Sequence, residues 1–310
     1  MRTTKKIIKR YTLILFILGL LIIHFIVPRF IVETRSPIVE LFKAEDVTTS
    51  QTKSNTNSKF KRKKITITTF DKLKLSALIT YSSSTHVKGT IILLHGSSHT
   101  KEHFLVLSEF LSINGFNSVA LDSRGFGESK GQFFTYGAKE TKDIQTLITQ
   151  LINNENLDNI GLWGQSIGGA LTLQAMGMDN RIAFGIAEST YTDLKTNIQY
   201  YIKRHTGFNL KLFSDYLVDR AGRIADFNPD EANPYKYSNN ITQPILVVHG
   251  SKDTAIPISK GRANYSRIKS IDKEFMELKA AGHSDIWAIG SDKYFESVLK
   301  FLNKQALPSN

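Results

Sequence analysis

The residues able to do chemistry converge on one serine. Gly164-Gln165-Ser166-Ile167-Gly168 sets a hydroxyl between two glycines, after an apolar strand-like run (Asn159 to Trp163) and before an Ala/Leu-rich helical segment (Ala170 to Met178). A sharp strand-to-helix turn exposes such a hydroxyl at the edge of a sheet, and the glycines spare it clashes that larger side chains would create. A serine hydroxyl is a weak nucleophile. It needs a base within hydrogen-bond reach and a third group to orient that base.

Eight histidines compete for the role of base. His86, His99, His103 and His205 fall in loops or helical spacers away from a strand end, and His24 lies in an apolar leader. His95 ("LLHGSS") and His249 ("VVHGSK") end strands, but both precede the candidate acids and read as structural turn histidines. His283, in "KAAGHSDIW", follows the last strand-like run and alone completes the order serine, acid, histidine. For the acid, Asp253 in "HGSKDTAIP" follows the apolar run Pro244 to Val248, although an aspartate there also suits a turn or helix cap. Asp122 precedes the serine and Asp285 lies two residues beyond the histidine, which leaves Glu188 ("AEST") as the serious rival. The oxyanion of an acyl-transfer intermediate needs two backbone donors. The amides of Ile167, directly after the serine, and of Ser97, after an earlier strand, occupy the expected places.

These residues need a scaffold that brings strand ends together. Ile65 to Phe70 and Leu73 to Ile79 alternate with period two about a polar turn, an antiparallel hairpin. Beyond them, short apolar runs (Thr90 to Leu94, Asn117 to Leu121, Asn159 to Trp163, Ile182 to Ile186, Pro244 to Val248, Glu274 to Leu278) alternate with helical stretches (Lys101 to Ile113, Ala138 to Ile152, Ile167 to Met178, Ser259 to Ile268, Asp292 to Leu302). Strands apolar on both faces with helix-length spacers predict an α/β fold, a mostly parallel doubly wound sheet. The spacer between Glu188 and Pro244 is too long for one crossover. With amphipathic "NLKLFSDYLVDRAG" (Asn209 to Gly222), it predicts a small helical insertion over about 190–240.

The combination of His95-Gly96, Asp122-x-Arg124-Gly125-x-Gly127-x-Ser129, Gly164-x-Ser166-x-Gly168-Gly169, His249-Gly250-x-x-Asp253 and Gly282-His283 resembles the α/β-hydrolase superfamily over residues 65–305. It is similar in particular to membrane-anchored, serine aminopeptidase-like and prolyl-oligopeptidase-related members. The resemblance implies the α/β-hydrolase fold and a hydrolytic serine triad of Ser166, His283 and Asp253, with Ser97 and Ile167 as oxyanion donors. Such relatives include esterases, thioesterases, lipases and peptidases, so it leaves the substrate open. Cleavage of a carboxylic ester or thioester, acyl or lipid-like, is the leading expectation. A peptidase is the alternative, and a non-catalytic tethered binding module a third. No cofactor or metal is expected: the chain has no cysteine and no His-Glu-x-x-His, and "RGFGESKG" lacks the Gly-Lys-Ser/Thr ending of a phosphate loop.

The net charge of +12 does not point to nucleic acid, because residues 1–64 hold 14 Lys/Arg against 4 Asp/Glu and the rest of the chain is nearly neutral. This charge flanks the apolar run Tyr11 to Val27, long enough to approach a bilayer span when Ile7, Ile8 and Phe30 to Val32 extend it. Residues 1–32 are therefore expected to form a cytoplasmic tip and an uncleaved transmembrane anchor, there being no small-x-small cleavage site. Arg2, Lys5, Lys6, Lys9 and Arg10 before the run outnumber Arg29 and Arg35 after it, which predicts a cytoplasmic N-terminus and an extracytoplasmic catalytic domain. Residues 33–64, above all Glu45 to Lys64, read as a flexible polar and basic tether on which the domain would sample the membrane surface.

Overall fold

In the computed structural model, which describes residues 2–35 and 59–306, eight strands form one sheet: β1 (Arg62–Thr68), β2 (Lys74–Thr80), β3 (Gly89–Leu94), β4 (Phe116–Leu121), β5 (Ile160–Gln165), β6 (Phe184–Glu188), β7 (Ile245–Gly250) and β8 (Lys273–Leu278). The spatial order is β1-β2-β4-β3-β5-β6-β7-β8. The hairpin β1–β2 and the β2–β4 pair are antiparallel, and every later pairing is parallel. Strands β3, β4, β6 and β7 are buried along their whole length. Their continuous apolar runs are the signature of a sheet covered on both faces.

One layer of core, with Ile92, Leu94, Val119 and Leu162, packs under α4 (Glu140–Glu155) and α5 (Ile167–Met176); the other, with Ile91, Leu93, Trp163 and Ile186, packs under α3 (Leu105–Ile113) and α10 (Ile286–Lys304). Helix α4 buries Ile144, Leu147, Ile148 and Leu151, the 3-4-7 spacing of one helical face. Between β6 and β7 lie α6 (Leu194–Thr206), α7 (Lys211–Ala225) and the short α8 (Pro234–Ser238), the expected insertion, and α9 (Ile258–Arg267) follows β7. Asp193 caps α6 by accepting from the Thr196 amide, and Gly207 ends it in the left-handed region at φ 79°.

The chain runs from β3 to β4 on one side and then crosses to β5 on the other. The order therefore reverses between β3 and β5, and the crevice beyond their carboxyl ends is where open α/β sheets take ligands. Ser97 and Ser166 both lie there, in the segments just after those two strands.

At the N-terminus, α1 (Arg2–Phe25) is one exposed apolar helix, long and apolar enough to cross a membrane. A turn leads to α2 (Arg29–Val32), and here the arrangement differs from the expected one. The Ile31 carbonyl accepts from the Tyr136 hydroxyl at 2.6 Å, the Val32 carbonyl accepts from the Phe134 amide at 2.8 Å, and Glu33 forms an isolated antiparallel bridge with Phe133. Val32 is fully buried with Ala221 and Ala225 of α7. The domain is thus held at the foot of α1 by residues 29–35 instead of hanging from the tether. Most of the expected tether 33–64, residues 36–58, lies outside the described residues. Its last three residues belong to β1, where Arg62, Lys63 and Lys64 pair with Glu109, Glu155 and Glu128 at 2.6–2.7 Å, so the folded domain starts three residues before the expected boundary.

Candidate active site

Ser166 is the junction between β5 and α5. Its backbone, at φ 54° and ψ −114°, occupies a region non-glycine residues rarely adopt, at a cost of about 1–3 kcal/mol that the surrounding packing must hold in place. A Cβ on Gly164 would run into the Gly168 carbonyl and one on Gly168 into the Leu94 carbonyl, so only glycine lets the strand, the turn and the helix approach this closely. The Ser166 amide donates to the Glu188 carbonyl at 2.9 Å, which locks the turn to β6.

His283 Nε2 stands 2.9 Å from Ser166 Oγ, and its Nδ1 stands 2.7 Å from Asp253 Oδ2. The imidazole therefore links the serine and the carboxylate through opposite ring nitrogens, as a base and its orienter require. Three loops supply the groups, after β5, β7 and β8. The His283 loop is held by Asp285, whose Oδ1 accepts from the Gly282 amide at 2.6 Å. Asp285, set aside as a candidate acid, is thus a loop fastener.

Asp253 has a fully buried side chain. Its Oδ1 accepts from the Ala255 and Ile256 amides at 2.9 and 2.8 Å. Burial by itself would push its carboxyl up, but the bonds from His249, His283 and the Ile256 amide outweigh that and hold it well below the usual carboxylate range. His249, read from sequence as a turn histidine, fastens this loop: Nε2 donates to the Ile256 carbonyl at 2.8 Å and lies 3.4 Å from Asp253 Oδ2. Its contact with the acid was not foreseen. The spacing His249-x-x-x-Asp253 is the signal that would have suggested it.

The rival Glu188 is buried elsewhere. Its carboxylate accepts from Trp163 Nε1 at 2.5 Å, Gln165 Nε2 at 2.9 Å, Trp287 Nε1 at 3.2 Å and the Tyr294 hydroxyl, and makes no bond to His283. Burial pushes its pKa up, against the pull of those four donors. Asp122 is also structural: it accepts from the Lys101 amide and ammonium at 2.7 and 2.6 Å and from the Glu128 amide at 2.9 Å.

Gly96 packs beside Ser166; a Cβ built there would lie 3.6 Å from Ser166 Cβ. The loop carrying Ser97 therefore flanks Ser166. His95 fixes this loop, since its Nδ1 donates to the Gly96 carbonyl at 2.7 Å and its Nε2 accepts from the Ser123 amide at 3.1 Å. Ile167 opens α5, where an amide has no acceptor within its own helix and the helix dipole favours negative charge. Ile167, next to Ser166, packs with Tyr136 against a buried apolar cluster of Ala170, Tyr191 and Ile256. His103, in the short helical turn Lys101–Phe104 of a spacer as expected, also bonds Gln165 Oε1 through Nε2 at 3.0 Å and stacks on Trp287.

Sheet order, the Ser166 turn and strand-end loops together give the α/β-hydrolase fold and the arrangement of a serine hydrolase. The profile of the family described as "Serine aminopeptidase, S33" matches residues 85–225. An esterase of Pyrococcus furiosus superposes with a TM-score of 0.65 at 26% identity, over 79% of this chain and 91% of its own. The monoglyceride lipase of Saccharomyces cerevisiae is 27% identical, over 70% of this chain and 84% of the yeast protein. A 31.7 kDa Escherichia coli protein from the traX-finO intergenic region, described as uncharacterized, is 26% identical over 67% of this chain and 86% of its own.

Proposed function

We propose that Ser166, His283 and Asp253 form a catalytic triad that cleaves acyl or lipid-like carboxylic esters, or thioesters, through an acyl-enzyme. The observation carrying this reading is the continuous line from Ser166 Oγ through both nitrogens of His283 to Asp253 Oδ2. His283 Nε2 takes the hydroxyl proton as Oγ attacks the carbonyl carbon. The amides of Ser97 and Ile167 receive the developing oxyanion, and the N-terminal end of α5 adds its dipole. The intermediate collapses, the carbonyl re-forms and the C–O or C–S bond breaks. His283 then gives its proton to the leaving alkoxide or thiolate. Water, deprotonated by the same nitrogen, attacks the acyl-enzyme and releases the acid and free Ser166. Asp253 stays ionised throughout and holds the Nδ1–H tautomer.

The apolar cluster beside Ser166, the membrane-spanning character of α1 and the likeness to a monoglyceride lipase support an acyl substrate. The likeness to serine aminopeptidases supports the second reading, peptide-bond cleavage. Full-length protein in detergent, assayed on p-nitrophenyl esters of increasing chain length beside aminoacyl p-nitroanilides, separates them: ester turnover that rises with chain length is expected, and faster anilide cleavage contradicts it.

The excess of Lys and Arg ahead of the apolar run Tyr11 to Val27 supports a cytoplasmic N-terminus with the catalytic domain on the other side of the membrane. Protease added outside intact cells should then reach the domain. Protection there, with cleavage from the cytoplasmic side, contradicts this orientation.

A further inference from the structure

Helix α7 is fastened to the end of α1 at several levels. His24 Nδ1 lies 2.6 Å from the Tyr216 hydroxyl, and Arg220 both donates to the His24 carbonyl at 3.4 Å and covers the Phe25 ring at 5.8 Å. Higher up, Val32 packs on Ala221 and Ala225. Following α7 from Ala225 to Tyr216 therefore descends from Val32 to His24, back toward the apolar run of α1. Leu212 lies four residues further, about 6 Å beyond the level of Tyr216 at the α-helical rise. His24 is already inside the run Tyr11 to Val27, so the α6–α7 turn reaches alongside the span.

That turn is apolar in an unusual way for a water-facing hairpin. Phe208 is 68% exposed and Leu212 85% exposed, with Leu210 also exposed between them; the exposed Lys203 and Arg204 precede them on α6, and Lys211, paired with Asp215, opens α7. Aromatic and aliphatic tips flanked in the chain by long cationic side chains suit an interface in which the tips enter hydrocarbon and the ammonium and guanidinium heads remain at the phosphates.

We infer that the α6–α7 turn, through Phe208, Leu210 and Leu212, is immersed in the leaflet on the domain's side of the membrane that α1 crosses, giving the enzyme a second contact with lipid. This rests on reading α1 as a membrane span. The middle of α6 borders the chemistry: the Tyr200 hydroxyl donates to the Thr254 carbonyl at 3.1 Å, next to Asp253. The hairpin thus joins the lipid surface to the loop of the catalytic acid, and an acyl ester resident in the leaflet has a short path to Ser166.

The chain contains no cysteine, so single cysteines can be placed cleanly. Full-length Leu212→Cys, Phe208→Cys, Ile271→Cys and Leu18→Cys proteins would each carry an environment-sensitive nitrobenzoxadiazole label in vesicles of phosphatidylcholine and phosphatidylglycerol. Ile271 is a fitting control, being fully exposed and apolar but ahead of β8, at the end of the sheet away from the site. Labels at 208 and 212 should emit at shorter wavelength than the label at 271 and lose intensity when nitroxide-bearing lipids are included. If both behave like the label at 271, the inference is overturned. In that case, quenching at 18 shows that the span stands and only the second contact fails, whereas no quenching at 18 removes the span as well.

Discussion

Gln165, the residue before Ser166, donates its side-chain amide to Glu188 Oε2 at 2.9 Å, so the turn that presents Ser166 is tied to a buried carboxylate. This bond separates two acids that sequence alone had left in competition. Asp253 touches His283, and Glu188 supports the turn from below.

The two acids should therefore respond differently to neutralisation. Asp253→Asn is expected to lower kcat by about 10³–10⁴-fold with little change in Tm, because it disturbs the tautomer of His283. Glu188→Gln leaves His283 untouched but sets an amide among four donors, and should cost about 2 kcal/mol, a fall in Tm of about 5 °C, with kcat within about threefold of wild type. Thermal melts and ester kinetics on both variants check this. A crippled Glu188→Gln beside a mildly affected Asp253→Asn would reverse the assignment of the acid.

Burial beneath Trp287, with the His99 ring tilted against it 3.9 Å away, pushes the pKa of His103 down to about 4 from an ordinary 6.5. Between those values the unfolded chain takes up a proton that the folded one refuses. The stabilising effect is complete above pH 6.5 and is lost as the pH falls toward 4. Melting temperature followed from about pH 7 to about pH 4 should decline less steeply for His103→Gln than for wild type. Parallel profiles would show that this ring does not set the acid limit.

The docked segment after α1 should stabilise the domain even without the span. A chain beginning at Arg29 keeps the Val32 contact and the bonds to Phe134 and Tyr136, and a chain beginning at Ser58 loses them. The longer form is expected to be more stable to urea by about 3 kcal/mol, from one buried valine and several backbone bonds. Equal stabilities would mean that residues 29–35 do not hold the domain at the membrane.

The sheet was legible because its chemistry is repeated: every residue of β3, β4 and β7 is buried, so each strand announces itself as an apolar run bounded by polar turns. Strand-end position and chain order were likewise enough to select three side chains that stand within hydrogen-bond reach of one another. Tertiary pairings were not legible. The path from His103 through Gln165 to Glu188 and the Lys101–Asp122 pair join residues whose local sequence carries no trace of the partner. Helix α10 begins at Ile286, six residues before the expected start, with a break at Ser291 (φ 49°) that periodicity alone cannot reveal. Arg29–Val32 read as the tail of an apolar span because its real partners, Phe133 to Tyr136 and α7, lie about 100 and 190 residues away along the chain.

The most direct test of the account is covalent. Full-length protein treated with a fluorophosphonate should gain one phosphonyl group, located by peptide mass spectrometry on Ser166. Ser166→Ala should gain none, and His283→Ala should react about 10³-fold more slowly. Absence of the adduct in folded wild-type protein, or undiminished labelling of Ser166→Ala, would contradict the claim that Ser166 is the nucleophile.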